Sequence, residues 1–193
     1  MVNKIALLKA LYRALHWDRL YEAMPELTRQ EVDEFFRELR AGLGEEARAS
    51  DEAASKVAGA EAWLYADGAS KGNPGPAGVG IVLTTPAGEE VLAWGAPIGR
   101  ATSNVAEYRA VIEGLKRALE LKVRRICVLS DSELLILQLR GRYKVRNPGL
   151  KPLHAEALGL LDRFEHWEAR HVGREQNLKA DALATQHAKA PKA

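Results

Sequence analysis

From Trp63 onward the chain switches between short β-patterned runs and longer helical ones, and the order of those runs limits the fold more than any other feature. Residues 63–67, 79–85 and 90–98 read as three strands. The stretch from Gly68 to Gly78, rich in Gly and Pro, reads as a turn-laden loop between the first two, and Pro86-Ala87-Gly88 as a turn between the second and third. Strands joined this closely predict an antiparallel meander. A helix over 104–121 follows, then a strand at 125–130, a helix at 132–140 and a break at Asn147-Pro148-Gly149. A helix at 152–164, a strand at 166–172 and a helix at 177–189 complete the pattern. Strands that alternate with helices pair in parallel through crossovers, so the expected class is α/β with a mixed sheet.

Before residue 60 the pattern is helical only. Ile5, Leu8, Leu11, Tyr12 and Leu15 follow helical spacing, and Pro25 interrupts the run. Thr28 and Glu31 have the spacing of a capping box. Val32, Phe35, Phe36, Leu39 and Leu43 form an apolar stripe that Gly42 and Gly44 should end. The expectation is a helical hairpin over 1–44, with helices at 3–16 and 28–42. Residues 45–60 read as a polar linker or a loose exposed helix, and residues 61–190 as the main domain.

Charge is uneven along the chain. Residues 1–60 carry 9 Lys+Arg against 11 Asp+Glu, and residues 61–193 carry 19 against 15. A basic surface around an acidic centre suits a polyanion held through metal. The single cysteine, Cys127, excludes an internal disulfide framework and a Cys-rich zinc site; its place in Ile126-Cys127-Val128-Leu129 reads as core. No apolar stretch is long enough to span a bilayer, and the first residues lack a secretory pattern, so a cytoplasmic location is expected.

Four acids interrupt apolar or small-residue faces: Asp67, Glu107, Asp131 and Asp181. Trp63, Tyr65 and Asp67 alternate onto one strand face, as do Cys127, Leu129 and Asp131. Ligand sites in such sheets gather at the carboxyl ends of parallel strands, so the two aspartates would share a crevice if their strands are parallel neighbours. Glu107 shares a helix face with Val111, Gly114 and Ala118, and Asp181 with Ala184 and Ala188. Buried carboxylates are costly unless a cation neutralises them, so four converging from separate elements would form a divalent-metal site. Taken singly, each also reads as a turn, cap or surface acid.

The contexts of these acids resemble the ribonuclease H type 1 family. They are Tyr65-Ala66-Asp67-Gly68-Ala69-Ser70-Lys71-Gly72-Asn73-Pro74-Gly75, Thr102-Ser103-Asn104-Val105-Ala106-Glu107-Tyr108, Ser130-Asp131-Ser132, and Arg174-Glu175-Gln176-Asn177-Leu178-Lys179-Ala180-Asp181. The resemblance covers about 61–190 and implies a ribonuclease H-like fold: a five-stranded mixed sheet, its first three strands antiparallel, flanked by helices. It also implies endonucleolytic hydrolysis of the RNA strand of RNA–DNA hybrids, leaving 5′-phosphate and 3′-hydroxyl ends. Asp67, Glu107, Asp131 and Asp181 fall on the family's catalytic, metal-binding acids. The implied cofactor is a pair of Mg²⁺ ions about 4 Å apart, with Mn²⁺ as a substitute. His171 falls where many members place a histidine that assists product release. Asn73 and Asn104 match positions that contact the hybrid, and Thr102 one that holds a DNA phosphate.

The chain departs from some members in two places. Its stretch with Arg140, Arg142, Lys144 and Arg146 is shorter than their basic protrusion, and Glu133 stands where some carry Gln. The N-terminal helices, not basic as a group, are assigned a docking or protein-contact role. Two other readings compete with a hybrid nuclease. One is a nuclease of the same fold acting on double-stranded RNA or structured DNA; the other is a noncatalytic nucleic-acid-binding module.

Overall fold

The computed structural model describes residues 23–24 and 26–189, so the helix expected at 3–16 lies outside the described residues. The chain divides into two compact units, residues 1–52 and 53–193.

In the first unit, helix α1 begins at Arg29 behind the predicted capping box. The Thr28 hydroxyl and backbone N–H both donate to Glu31 Oε2 at 2.8 Å, and Glu31 N–H donates back to Thr28 Oγ1 at 3.3 Å. These bonds hold the exposed Glu31 carboxyl below its ordinary range. Of the predicted stripe, Val32 is buried, whereas Phe35 and Leu39 are exposed. The helix does not end at Gly42 and Gly44. It spans Arg29–Val57, so the polar stretch from residue 45 is helix rather than extended linker. An isolated helical glycine costs only about 1 kcal/mol, and the Glu, Ala, Arg and Lys residues beyond these two favour helix.

The second unit is a five-stranded sheet in the order β3-β2-β1-β4-β5. The strands are β1 (Glu61–Ser70), β2 (Gly75–Thr84), β3 (Glu90–Ala101), β4 (Arg125–Ser130) and β5 (His166–His171). The first three form the expected antiparallel meander, and β1–β4 and β4–β5 are parallel. The helices are α2 (Ser103–Glu120), α3 (Glu133–Leu139), α4 (Lys151–Leu161) and α5 (Leu178–His187). A 3₁₀ turn, Arg174–Gln176, precedes α5.

The predicted loop from Gly68 to Gly78 is mostly strand. β1 runs on to Ser70 and β2 starts at Gly75, leaving only a four-residue turn. The glycines are in the strands because helices lie directly on them. A Cβ on Gly68 would sit 2.1 Å from the Ala106 carbonyl carbon of α2, and one on Gly80 would sit 2.1 Å from the Ala180 oxygen of α5.

Alternation along β1 divides the two layers. Ala62, Leu64 and Ala66 are buried, and Leu64 packs in one cluster with Val111, Leu115, Val128, Leu135 and Leu161. Asp67 and Gly80 are register partners and so share the opposite face, the one that α5 covers. Cys127 is buried within β4, as expected of a core residue.

Candidate active site

The sheet places the first two acids by register. Trp63 pairs with Cys127 and Tyr65 with Leu129, in parallel. Two residues further on, on the same face, are Asp67 and Asp131, so the strands carrying them are the parallel neighbours that the sequence required. Glu107 comes from the first turns of α2, brought against β1 by the contact of Gly68 with Ala106 and the Glu107 backbone N. Asp181 lies in the first turn of α5. The buried ridge of that helix runs through Ala180, Ala184 and Ala188. Asp181 follows Ala180 on this helix and is partly exposed.

The charges of the other three acids all bear on Asp67. Burial pushes the Asp67 carboxyl up to about 7, aided by the charges of Asp131, Asp181 and Glu107 and opposed by a hydrogen bond from the Gly68 N–H. Burial also raises Glu107, while a hydrogen bond from Ser132 offsets part of the rise. Carboxylates that repel across a half-buried space are the donor set of a hard divalent cation, whose charge would relieve the repulsion. Among the described residues, no three of these side chains are already drawn around a single ion position. The fit to a metal therefore rests on charge and donor chemistry.

Two polar residues that the sequence reading did not single out hold these acids. Ser132 caps α3, accepting from the Leu135 N–H at 3.4 Å, while its hydroxyl donates to Glu107 Oε2 at 2.7 Å. Asn177, buried at 1% exposure, donates from Nδ2 to Asp131 Oδ1 at 2.8 Å and to the Ala66 carbonyl at 3.2 Å. On the outer side, the Arg174 guanidinium lies 3.4 Å from Asp181 Oδ1.

The other expected site residues surround this end of the sheet. His171 is the exposed last residue of β5, in register with Ser130. Asn73 is exposed in the β1–β2 turn, and Asn104 is exposed in the first turn of α2. Thr102 is the N-cap of α2, its hydroxyl accepting from the Val105 N–H at 3.3 Å. Glu133, Arg140, Arg142, Lys144 and Arg146 are all exposed.

Residues 65–187 match the family model described as "Reverse transcriptase-like". The bifunctional protein Rv2228c of Mycobacterium tuberculosis is 47% identical over 122 residues, 63% of this chain and 34% of its own length. The crystal structure of RNase H1 from Halobacterium salinarum superposes with a TM-score of 0.65 at 42% identity, covering 66% of this chain and 96% of that one. LC11-RNase H1, solved in complex with an RNA/DNA hybrid, gives a TM-score of 0.61 at 37% identity, over 65% of this chain and 94% of that one. The five-stranded mixed sheet with flanking helices matches these RNase H structures. The chain belongs to the ribonuclease HI family. It spans about a third of the length of Rv2228c and 64% of that of the Halobacterium ribonuclease HI.

Proposed function

We propose that this chain is an endoribonuclease that hydrolyses the RNA strand of RNA–DNA hybrids with two divalent ions, leaving 5′-phosphate and 3′-hydroxyl ends. The observation that carries the reading is the gathering of acids at one end of the sheet: the β1–β4 register sets Asp67 beside Asp131, and burial with the charges of the other three carboxylates pushes Asp67 up to about 7. Kinship with a protein solved on an RNA/DNA hybrid supports the substrate class. Among the described residues no helix is long and apolar enough to cross a membrane.

In this reading Asp67, Glu107, Asp131 and Asp181 hold Mg²⁺, or Mn²⁺ in its place. Bound there, the metal supplies an activated water and neutralises charge at the scissile phosphate. The protein's own part is to hold the carboxylates at fixed depth. Ser132 restrains Glu107, and the register of β1 with β4 sets Asp67 beside Asp131. Asn73 and Asn104 present exposed amides that can test for a 2′-hydroxyl by donating and accepting. Thr102, the N-cap of α2, meets a DNA phosphate near the positive end of the helix dipole. His171, exposed at the end of β5, assists departure of the product. The N-terminal segment serves docking or protein contact.

The test uses labelled RNA–DNA hybrid, double-stranded RNA and double-stranded DNA, each with Mg²⁺ or EDTA, beside the Asp131→Asn variant. The expected result is metal-dependent loss of the hybrid's RNA strand only, with the variant inert. Survival of the hybrid in both Mg²⁺ and Mn²⁺ would sink the proposal, as would wild-type cleavage by Asp131→Asn.

A further inference from the structure

Asn177 stands immediately before α5, at the position where an asparagine ordinarily turns its side-chain oxygen onto the helix's free N–H groups. Here it makes no such cap. The side chain points inward instead. Its amide nitrogen donates to Asp131 Oδ1 at 2.8 Å and to the Ala66 carbonyl at 3.2 Å. Reversing the amide would set its oxygen against two acceptors, so the pairing fixes which end faces Asp131.

This arrangement is unfavourable for the fold taken alone. The forgone cap costs about 1 kcal/mol. Asn177 Oδ1 is buried without a hydrogen-bond partner, and an orphaned acceptor costs about 1–3 kcal/mol more. What is obtained in return is a bridge. One amide ties the backbone of β1 just before Asp67, the carboxylate of Asp131 and the start of the helix that carries Asp181. A neutral donor holds Asp131 without cancelling its charge, as a Lys or Arg would, so the carboxylate keeps its value as a cation ligand.

We propose that Asn177 is a positioning residue for the divalent-cation site, fixing the Asp131 carboxylate in a metal-ready orientation at the expense of capping α5. The inference rests on the proposed metal-dependent nuclease reading. Partners one bond removed from a metal commonly change its affinity about 10- to 100-fold when lost.

The test compares wild type with Asn177→Ser and Asn177→Ala. Serine can cap α5 but is too short to reach Asp131; alanine can do neither. Three quantities are measured: melting temperature, Mn²⁺ binding to the substrate-free protein by electron paramagnetic resonance, and the Mg²⁺ concentration for half-maximal hydrolysis. Asn177→Ser should melt at or above the wild-type temperature yet bind Mn²⁺ about tenfold more weakly, with a matching rise in Mg²⁺ requirement. Its KM for hybrid should not change. Asn177→Ala should show the same metal defect with a lower melting temperature. Wild-type Mn²⁺ binding in both variants would overturn the inference, as would a metal defect that appears only in the variant that melts early. A wild type that neither binds Mn²⁺ nor cleaves hybrid would overturn the nuclease reading and this inference together. Normal wild-type behaviour with unaffected variants would overturn this inference alone.

Discussion

Two helices begin beside the same group of acids and are held in different ways. Helix α2 is fixed at its end: Thr102 caps it, and its 18 residues bury a continuous face that includes Val111, Leu115 and Ala118. Helix α5 has 10 residues and no side-chain cap. It is held from the side, where its backbone at Ala180 and Ala184 rests on Gly80 and its end rests on Gly78. Tertiary contact therefore replaces local capping in α5, and this leaves the residue at its start available to Asp131. Helix α3 lies between the two cases, since Ser132 both caps it and donates to Glu107.

The largest effect should come from the acids that both helices serve. Asp67→Asn should lower hydrolysis by at least about a thousandfold, because under the proposed function it removes a metal ligand worth several kcal/mol of charge stabilisation. Single-turnover rates on labelled hybrid measure this. Next in size is the lateral support of α5. A methyl on Gly80 meets backbone on α5 at 2.1 Å, so Gly80→Ala should destabilise the domain by about 2–4 kcal/mol in urea unfolding. A loss below about 1 kcal/mol would mean that α5 is not held from the side.

A pH effect of intermediate size follows from Asp67. Its carboxyl rises from 3.8 to about 7 on folding, so the folded state binds the proton more tightly than the unfolded state. Stability from this group is full below its unfolded value and declines as the pH rises toward 7. In metal-free buffer the decline should be on the order of 3–4 kcal/mol. Asp67→Asn should remove it, and Mg²⁺ should oppose it above pH 7. Chemical denaturation at several pH values, with EDTA or Mg²⁺, checks all three. The smallest effect falls on the capped helix: Thr102→Ala should cost about 1 kcal/mol and raise KM for hybrid without altering the Mg²⁺ requirement. A shifted Mg²⁺ requirement would erase the contrast between the two helix starts.

The order of elements was legible because it follows simple periods, and so was the shared strand face of Asp67 and Asp131. Alternation along β1 and β4 marks which residues share a face, and Asp67 and Asp131 break that pattern where a core residue would continue it. The glycines misled. Gly68 and Gly78 read as turn residues, yet each sits in a strand where a helix backbone leaves no room for a Cβ. Such close approach is a tertiary fact with no local signature. Gly42 and Gly44 failed as stop signals because the residues after them still favour helix. Asn177 was illegible for the opposite reason: an asparagine before a helix has an ordinary explanation, and only the direction of its side chain sets that explanation aside.

The parallel pairing of β1 with β4 has one more consequence. Side chains alternate strictly, so a slip of one residue would exchange Cys127 and Leu129 with Ile126 and Val128 between two faces that are both buried and differently packed. It would also carry Asp131 away from Asp67. The fit of these side chains into their two packed layers, which selects the alignment, therefore also sets Asp131 beside Asp67. Under the proposed function, a chain paired out of step would lose its metal site, and hydrolysis would report on the fidelity of strand pairing.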